Sequence, residues 1–258
     1  MQSMLDFHAS AEPNAQSTVD IFKGEWLSLL PGGLNSGWAD LFNVHRVMWS
    51  DSLFNISGKS VLELGPLEGG QSFALQNIGA TTITAVEGNS RAFLKCLIVK
   101  ELFGLSRVKF LYGDFVKFLE TTNDNFDIVF ASGVLYHMSQ PLKLLSLIKR
   151  HTNKCYIWTH YYDQGMLEVT LGDQFSRKFG GRMSIEFAGY RCDAYPQYYA
   201  DALDRPEFAG GNAPSSLWLT RTDILSFLAH IGFTRIDTND EDPFHQNGPS
   251  FSIAAQYF

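Results

Sequence analysis

The chain has 258 residues, 45% of them hydrophobic and 18% charged, enough apolar material for one domain with a proper core and too much for a disordered segment. Its formal charge of −7 argues against a protein whose affinity rests on broad phosphate neutralisation, so a small-molecule partner is the first expectation and nucleic acid the second. The three scattered cysteines, Cys96, Cys155 and Cys192, form neither a disulfide framework nor a zinc pattern. The first residues lack a basic segment followed by an apolar run, and the greasiest stretch, "FLKCLIVKELFGL", is interrupted by Lys95 and Lys100. The expectation is a cytoplasmic protein with no membrane contact.

Residues 1–56 contain helical patches with Trp26, Trp38 and Trp49 spread among them, and are expected to form an N-terminal helical cap. Across 57–162, short β-branched or aromatic runs at 60–64, 82–87, 107–113, 126–131 and 154–162 alternate with helical patterns at 69–78, 89–103, 115–121 and 139–150. Asn89 would cap the second helix, and Pro141 sits in the first turn of the last. That alternation is the pattern of a parallel sheet with crossover helices. Residues 163–213 break it with a run of aromatics and glycines, which reads as a lid or substrate-binding insert. In 214–258, Thr220 would cap the helix "RTDILSFLAHIG", and "FTRIDTND" with "SFSIAAQYF" would form a hairpin completing the sheet. The expected fold is α/β: a doubly wound, seven-stranded, mostly parallel Rossmann-like sheet with an N-terminal helical cap and an insert after the fifth strand.

In such a sheet a ligand binds beyond the carboxyl ends of the strands, where the first loop meets a helix N-terminus. Here that loop is "VLELGPLEGGQSFAL", with the spacing E-x-G-x-x-x-G from Glu63 through Gly65 to Gly69. Leu67 stands where a dinucleotide fingerprint needs its second glycine, and Pro66 precedes it, which disfavours a dehydrogenase. A nucleoside without pyrophosphate fits better, and S-adenosylmethionine is the commonest such ligand on this type of sheet. Its ribose diol needs an acidic acceptor at the end of the second strand, where "ITAVEGN" supplies Glu87 followed by Gly88. Its adenine needs an acceptor and an apolar face after the third strand, where "FLYGDF" supplies Asp114 and Phe115. Its methionine part would lie at the end of the fourth strand, against Ser132, Gly133 and Val134 of "FDIVFASGVLYHM".

Methyl transfer is an in-line displacement, so the protein has to hold a nucleophile on the methyl axis and exclude water; a base helps if the nucleophile starts protonated. Tyr136, His160 and His245 are the candidate catalytic residues, with His137 and Tyr161 as further polar groups at the carboxyl edge. Each also has a plain structural reading: His137 as a helix-opening residue, His160 as a core histidine, His245 as part of a turn with Asn247 and Gly248. No metal is expected, since "HYYD" sets His160 near Asp163 without a second ligand pair.

"VLELGPLEGG", "AVEGN", "GDF" and "GVLYHM" together resemble the class I S-adenosylmethionine-dependent methyltransferases. Within that family the pattern is similar to the tRNA wobble-uridine carboxymethyltransferases, through "DIFKGEW" with Lys23 and Gly24 and through "GVLYH" from Gly133 to His137. The glycine loop departs from their G-x-G-x-G form. The resemblance implies the fold, the donor positions, Tyr136 near the sulfonium end and Lys23 near the cofactor mouth. Two functions follow as expectations: methylation of a small-molecule acceptor, or, as the alternative, tRNA-modifying methyl or carboxymethyl transfer.

Overall fold

The computed structural model describes residues 8–205 and 208–258. Its strands are β1 (Ser60–Leu64), β2 (Thr82–Glu87), β3 (Val108–Tyr112), β4 (Ile128–Ser132), β5 (Lys154–His160), β6 (Met183–Phe187), β7 (Tyr190–Tyr198), β8 (Ser215–Leu219), β9 (Arg235–Asp242) and β10 (Ser250–Gln256). Seven of them form the main sheet in the order β3-β2-β1-β4-β5-β10-β9. Only β10 opposes its neighbours; β9, antiparallel to β10, runs with the rest, so the loop between them emerges at the carboxyl edge.

The helices are α1 (Ala15–Val19), α2 (His45–Phe54), α3 (Gly70–Asn77), α4 (Ser90–Leu102), α5 (Phe115–Thr121), α6 (Pro141–His151), α7 (Gln164–Leu171), α8 (Phe175–Lys178) and α9 (Arg221–His230). Several start where the side-chain chemistry demands. Asn89 Oδ1 accepts from Ala92 N–H at 3.0 Å to open α4, Asp114 Oδ1 accepts from Val116 N–H at 2.8 Å to open α5, and Thr220 Oγ1 accepts from Asp223 N–H at 3.1 Å to open α9. Alternation along β5 then divides the core. Cys155 and Ile157 face α5, α6 and α9, packed among Leu119, Leu145 and Phe227, while Tyr156 and Trp158 face α2, α3 and α4, packed among Phe54, Leu75 and Val99.

Two expectations change. The segment 163–213 is not a simple lid: it carries α7, α8 and a second antiparallel sheet, β6-β7-β8, so residues 214–219 belong with the insert and not with the main sheet. A strand at 215–219 pairs with whatever edge lies beside it, and Tyr198 opposite Ser215 supplies that edge. Residues 1–56 are less helical than expected; between α1 and α2 the described chain is mostly turns, with one bridge between Ser28 and Ala39. α2 joins the layer of α3, and residues 25–28 reach the glycine loop. No helix among the described residues is long and apolar enough to cross a membrane.

Candidate active site

The glycine loop turns sharply at the end of β1. Gly65, at φ +64°, donates its N–H to Val86 O at 3.0 Å, and a Cβ at Gly65 would stand 2.6 Å from Val134 Cγ1, so a larger residue there collides with the loop after β4. Pro66 is buried, its carbonyl accepting from Gly69 N–H at 2.8 Å. Beneath them Glu63 is buried and accepts from Ser72 Oγ; burial raises its pKa to about 7, with Glu87 nearby adding to the rise. Glu87 accepts from Leu67 N–H at 2.9 Å on one carboxylate oxygen and from Asn89 N–H at 2.8 Å on the other. Burial raises its pKa and those backbone bonds oppose the rise. Each oxygen still has a second lone pair for a hydroxyl. Gly88 is exposed beside it.

Asp114 is exposed; its Oδ1 caps α5 while Oδ2 has no protein partner among the described residues, and Phe115 packs its ring on the core below. At the end of β4, Ser132 Oγ lies 3.4 Å from Arg46 Nη1, and Gly133 donates its N–H to Trp158 O at 2.9 Å with φ +88°. Gln71 Oε1, in the first turn of α3, is buried without a partner among the described residues. An acidic acceptor after β2, a free carboxylate oxygen after β3, a hydroxyl after β4 and an orphaned amide oxygen beside the glycine loop form a donor-and-acceptor set that fits S-adenosylmethionine. Lys23, by contrast, presents an exposed side chain, and it is Glu25 close by that meets α4, pairing with Arg91 at 2.6 Å.

The three candidate catalytic residues come together. Tyr136 and His160 rings lie 4.6 Å apart edge to face, and His160 and His245 rings 4.9 Å apart. His160 is 3% exposed and is held by the hairpin loop: its Nδ1 lies 2.7 Å from Gly248 O. Two carbonyls near Nδ1 require a proton there, which leaves Nε2 as the acceptor. His245 Nδ1 accepts from Asn247 N–H at 3.2 Å, which puts the neutral ring's proton on Nε2. The pair therefore offers one proton acceptor and one donor. Burial pushes the His160 pKa down to about 4, with His245 adding to the fall, so the ring is neutral in the physiological range. Burial likewise lowers His245 and pushes the Tyr136 phenol well above its ordinary range. His137 turns away to Tyr199, Nδ1 to hydroxyl 2.7 Å, tying the insert to the loop after β4, and Tyr161 packs on Phe251.

Sequence reasoning missed four residues of this edge. Trp218 of β8 stacks on His160 at 5.3 Å with an interplanar angle of 3°, and its indole N–H is buried without a partner. Arg46 of α2 lies over Trp158, guanidinium carbon to ring centroid 4.1 Å. Glu68, inside the glycine loop, pairs with Lys95 at 2.7 Å and accepts the N–H groups of Leu27 and Ser28 at 3.1 and 2.7 Å. The one visible signal was charge out of place: Glu68 in a glycine loop and Lys95 in an apolar run.

Residues 55–177 match the family model described as a methyltransferase domain. The tRNA U34 carboxymethyltransferase of Dichelobacter nodosus is 30% identical over 127 residues, 47% of this chain and 38% of that protein; its counterpart in Campylobacter hominis is 29% identical over 99 residues, 38% of this chain and 34% of that one. The chain thus matches little more than a third of the length of these curated relatives. The crystal structure of the N-terminal domain of EvdMO1 with SAH and D-fucose superposes with a TM-score of 0.69 at 21% identity, covering 94% of this chain and 95% of that one, which establishes the fold. The sheet order and the match over residues 55–177 together support a class I S-adenosylmethionine-dependent methyltransferase domain. A domain of that class implies S-adenosylmethionine as cofactor.

Proposed function

We propose that the protein transfers a methyl group from S-adenosylmethionine to a hydroxyl of a small-molecule acceptor at the carboxyl ends of β4 and β5. The observation that carries this reading is the imidazole pair of complementary tautomers, His160 and His245, set in an aromatic wall of Tyr136, Trp158 and Trp218. When bound, the cofactor supplies a sulfonium methyl that an acceptor oxygen attacks as the carbon–sulfur bond breaks, leaving S-adenosylhomocysteine. Glu87 would hold the ribose diol, Asp114 and Phe115 the adenine, and Glu63, Gly65, Pro66, Gly69, Gly88, Ser132 and Gly133 would shape the channel for the rest.

Catalysis by this chain's own groups is then positioning with a general base. His160 Nε2 accepts the acceptor hydroxyl's proton as its oxygen becomes nucleophilic, and the proton later passes to solvent. His245 Nε2–H orients the same oxygen. Tyr136, a neutral phenol in the physiological range, donates without ionising. The aromatic wall excludes water and can accept a flat or cyclic ligand. D-fucose in the EvdMO1 crystal is a hydroxylated ligand of that kind. Three free, buried cysteines suit a reducing cytoplasm as the compartment of action.

The second reading, a tRNA-modifying methyl or carboxymethyl transfer, is favoured by the similarity to tRNA U34 carboxymethyltransferases. One experiment separates the two. Incubation with methyl-labelled S-adenosylmethionine and, in parallel, metabolite extract or bulk tRNA should label a small molecule and not tRNA. A tight tRNA complex whose affinity falls steeply with added salt would reverse the order.

A further inference from the structure

Arg46 is a half-buried cation with no anion paired to it among the described residues. Its guanidinium lies flat over Trp158 at 4.1 Å, Nη1 stands 3.4 Å from Ser132 Oγ, and Nε is buried with no partner. Among the described residues no carboxylate pairs with it. The acids of the neighbouring hairpin are engaged elsewhere. Asp240 accepts from Ser252 Oγ at 2.8 Å and lies 3.8 Å from His45, Glu241 pairs with Arg221, and Asp242 accepts from Phe244 N–H at 3.1 Å. Further along the same row, Trp158 to His160 at 5.0 Å and His160 to Trp218 at 5.3 Å, the Trp218 indole N–H is a second buried donor without a partner. A buried charged donor left unmet is costly, so two unmet donors flanking one histidine describe a site that a ligand's oxygens complete.

We propose that Arg46 binds the carboxylate of the acceptor, making the acceptor class a small hydroxy acid. The inference rests on the reading that a small acceptor is methylated at this edge. Guanidinium edges pair with carboxylates through two parallel N–H bonds, and stacking the face on Trp158 leaves those edges available. The acceptor, and not the donor, is assigned because the guanidinium, although Nη1 reaches Ser132 of the donor set, lies flat on Trp158 at the head of the row that runs to His160 and Trp218, whereas Glu87 and Asp114 stand at the ends of β2 and β3 across the sheet. With its carboxylate at Arg46, a hydroxy acid can offer its hydroxyl to His160 in the same aromatic row.

The test uses full-length protein saturated with S-adenosylhomocysteine and charged–neutral probe pairs: glycolate with glycolamide, lactate with lactamide, D-galacturonate with D-galactose. Binding is followed by tryptophan fluorescence and by the Arg46 Nε–H resonance. At least one carboxylate should bind tenfold or more tightly than its neutral partner and shift that resonance. Arg46→Gln should abolish the difference while leaving S-adenosylhomocysteine affinity within about twofold, and Arg46→Lys, which keeps the charge without the fork, should retain part of it. Absence of charge discrimination in every pair overturns the proposal. So does a tenfold loss of S-adenosylhomocysteine affinity in Arg46→Gln, which would give the guanidinium to the donor's carboxylate. Failure of the wild-type protein to bind S-adenosylhomocysteine at all would instead overturn the reading beneath it.

Discussion

Glu68 of the glycine loop and Lys95 of α4 form an ion pair 2.7 Å long with side chains only 1% and 5% exposed, and the same carboxylate accepts two backbone N–H groups of the amino-terminal segment. Lys95 also donates to Glu25 O. One carboxylate thereby fastens residues 25–28 to the loop that shapes the donor site. Glu68→Gln leaves Lys95 buried without its counter-charge and should cost about 3–5 kcal/mol, the usual scale for breaking a buried pair. Thermal unfolding should show a drop of roughly 6–20 °C for a chain of this size. The double variant Glu68→Gln with Lys95→Met should recover much of that loss; equal instability of single and double variants would mean that the backbone contacts dominate.

Donor affinity should depend on Glu87. Glu87→Ala removes a charged acceptor from the proposed ribose position, where a hydrogen bond is worth roughly 1.5–3 kcal/mol, so titration calorimetry with S-adenosylhomocysteine should read a ten- to hundredfold weaker complex. Because Glu87 also accepts from Leu67 and Asn89, Glu87→Gln should keep one of those two bonds and fall between wild type and alanine.

Stability should vary with pH through Glu63. Its folded pKa of about 7 lies above the ordinary 4.5, so the folded state holds its proton more tightly than the unfolded chain does. Stability from this group is full below the unfolded value, declines as pH rises between the two, and is lost above about 7, by about 3 kcal/mol in all. Glu63→Gln cannot titrate. Urea unfolding from pH 5 to pH 8 should therefore show wild type losing stability relative to the variant as pH rises; parallel curves would show that Glu63 ionises normally.

The catalytic role proposed for His160 separates from its structural one through His160→Asn, whose amide can still donate toward Gly248 O. Turnover should fall about a hundredfold with S-adenosylhomocysteine affinity unchanged, the scale expected for loss of a general base. Loss of folding in this variant would instead return His160 to the core.

Gly248 should tolerate no side chain. It sits at φ +115°, and a Cβ would stand 2.9 Å from Leu167 and 3.0 Å from Trp218, so Gly248→Ala must displace either the indole stacked on His160 or the carbonyl that His160 meets. Both a lower melting temperature and a shift in the His160 imidazole resonances are expected.

What the sequence determined by itself was whatever short-range pattern can encode. Alternation along "YIWTHYYD" separated Tyr156, Trp158 and His160 from their neighbours, the turn after β1 required Gly65, and Glu87, Asp114 and Ser132 could be assigned to strand ends because those ends are readable locally: Glu87 and Ser132 close β2 and β4, and Asp114 stands just past β3. The hairpin loop carrying His245 belonged at the carboxyl edge only if β9 ran parallel to the other strands, and that direction came from the structure. Only the tertiary structure brought Arg46 onto Trp158, Lys95 under Glu68 and Trp218 onto His160, and only it moved residues 214–219 into a second sheet. Those contacts join segments far apart in the chain, and their energies come from desolvation and from charge or ring pairing where layers stack. Nothing in the local periodicity of α2, α4 or β8 carries that information, because a buried lysine and a solvated one leave the same mark in a run of apolar residues until the opposing surface is known.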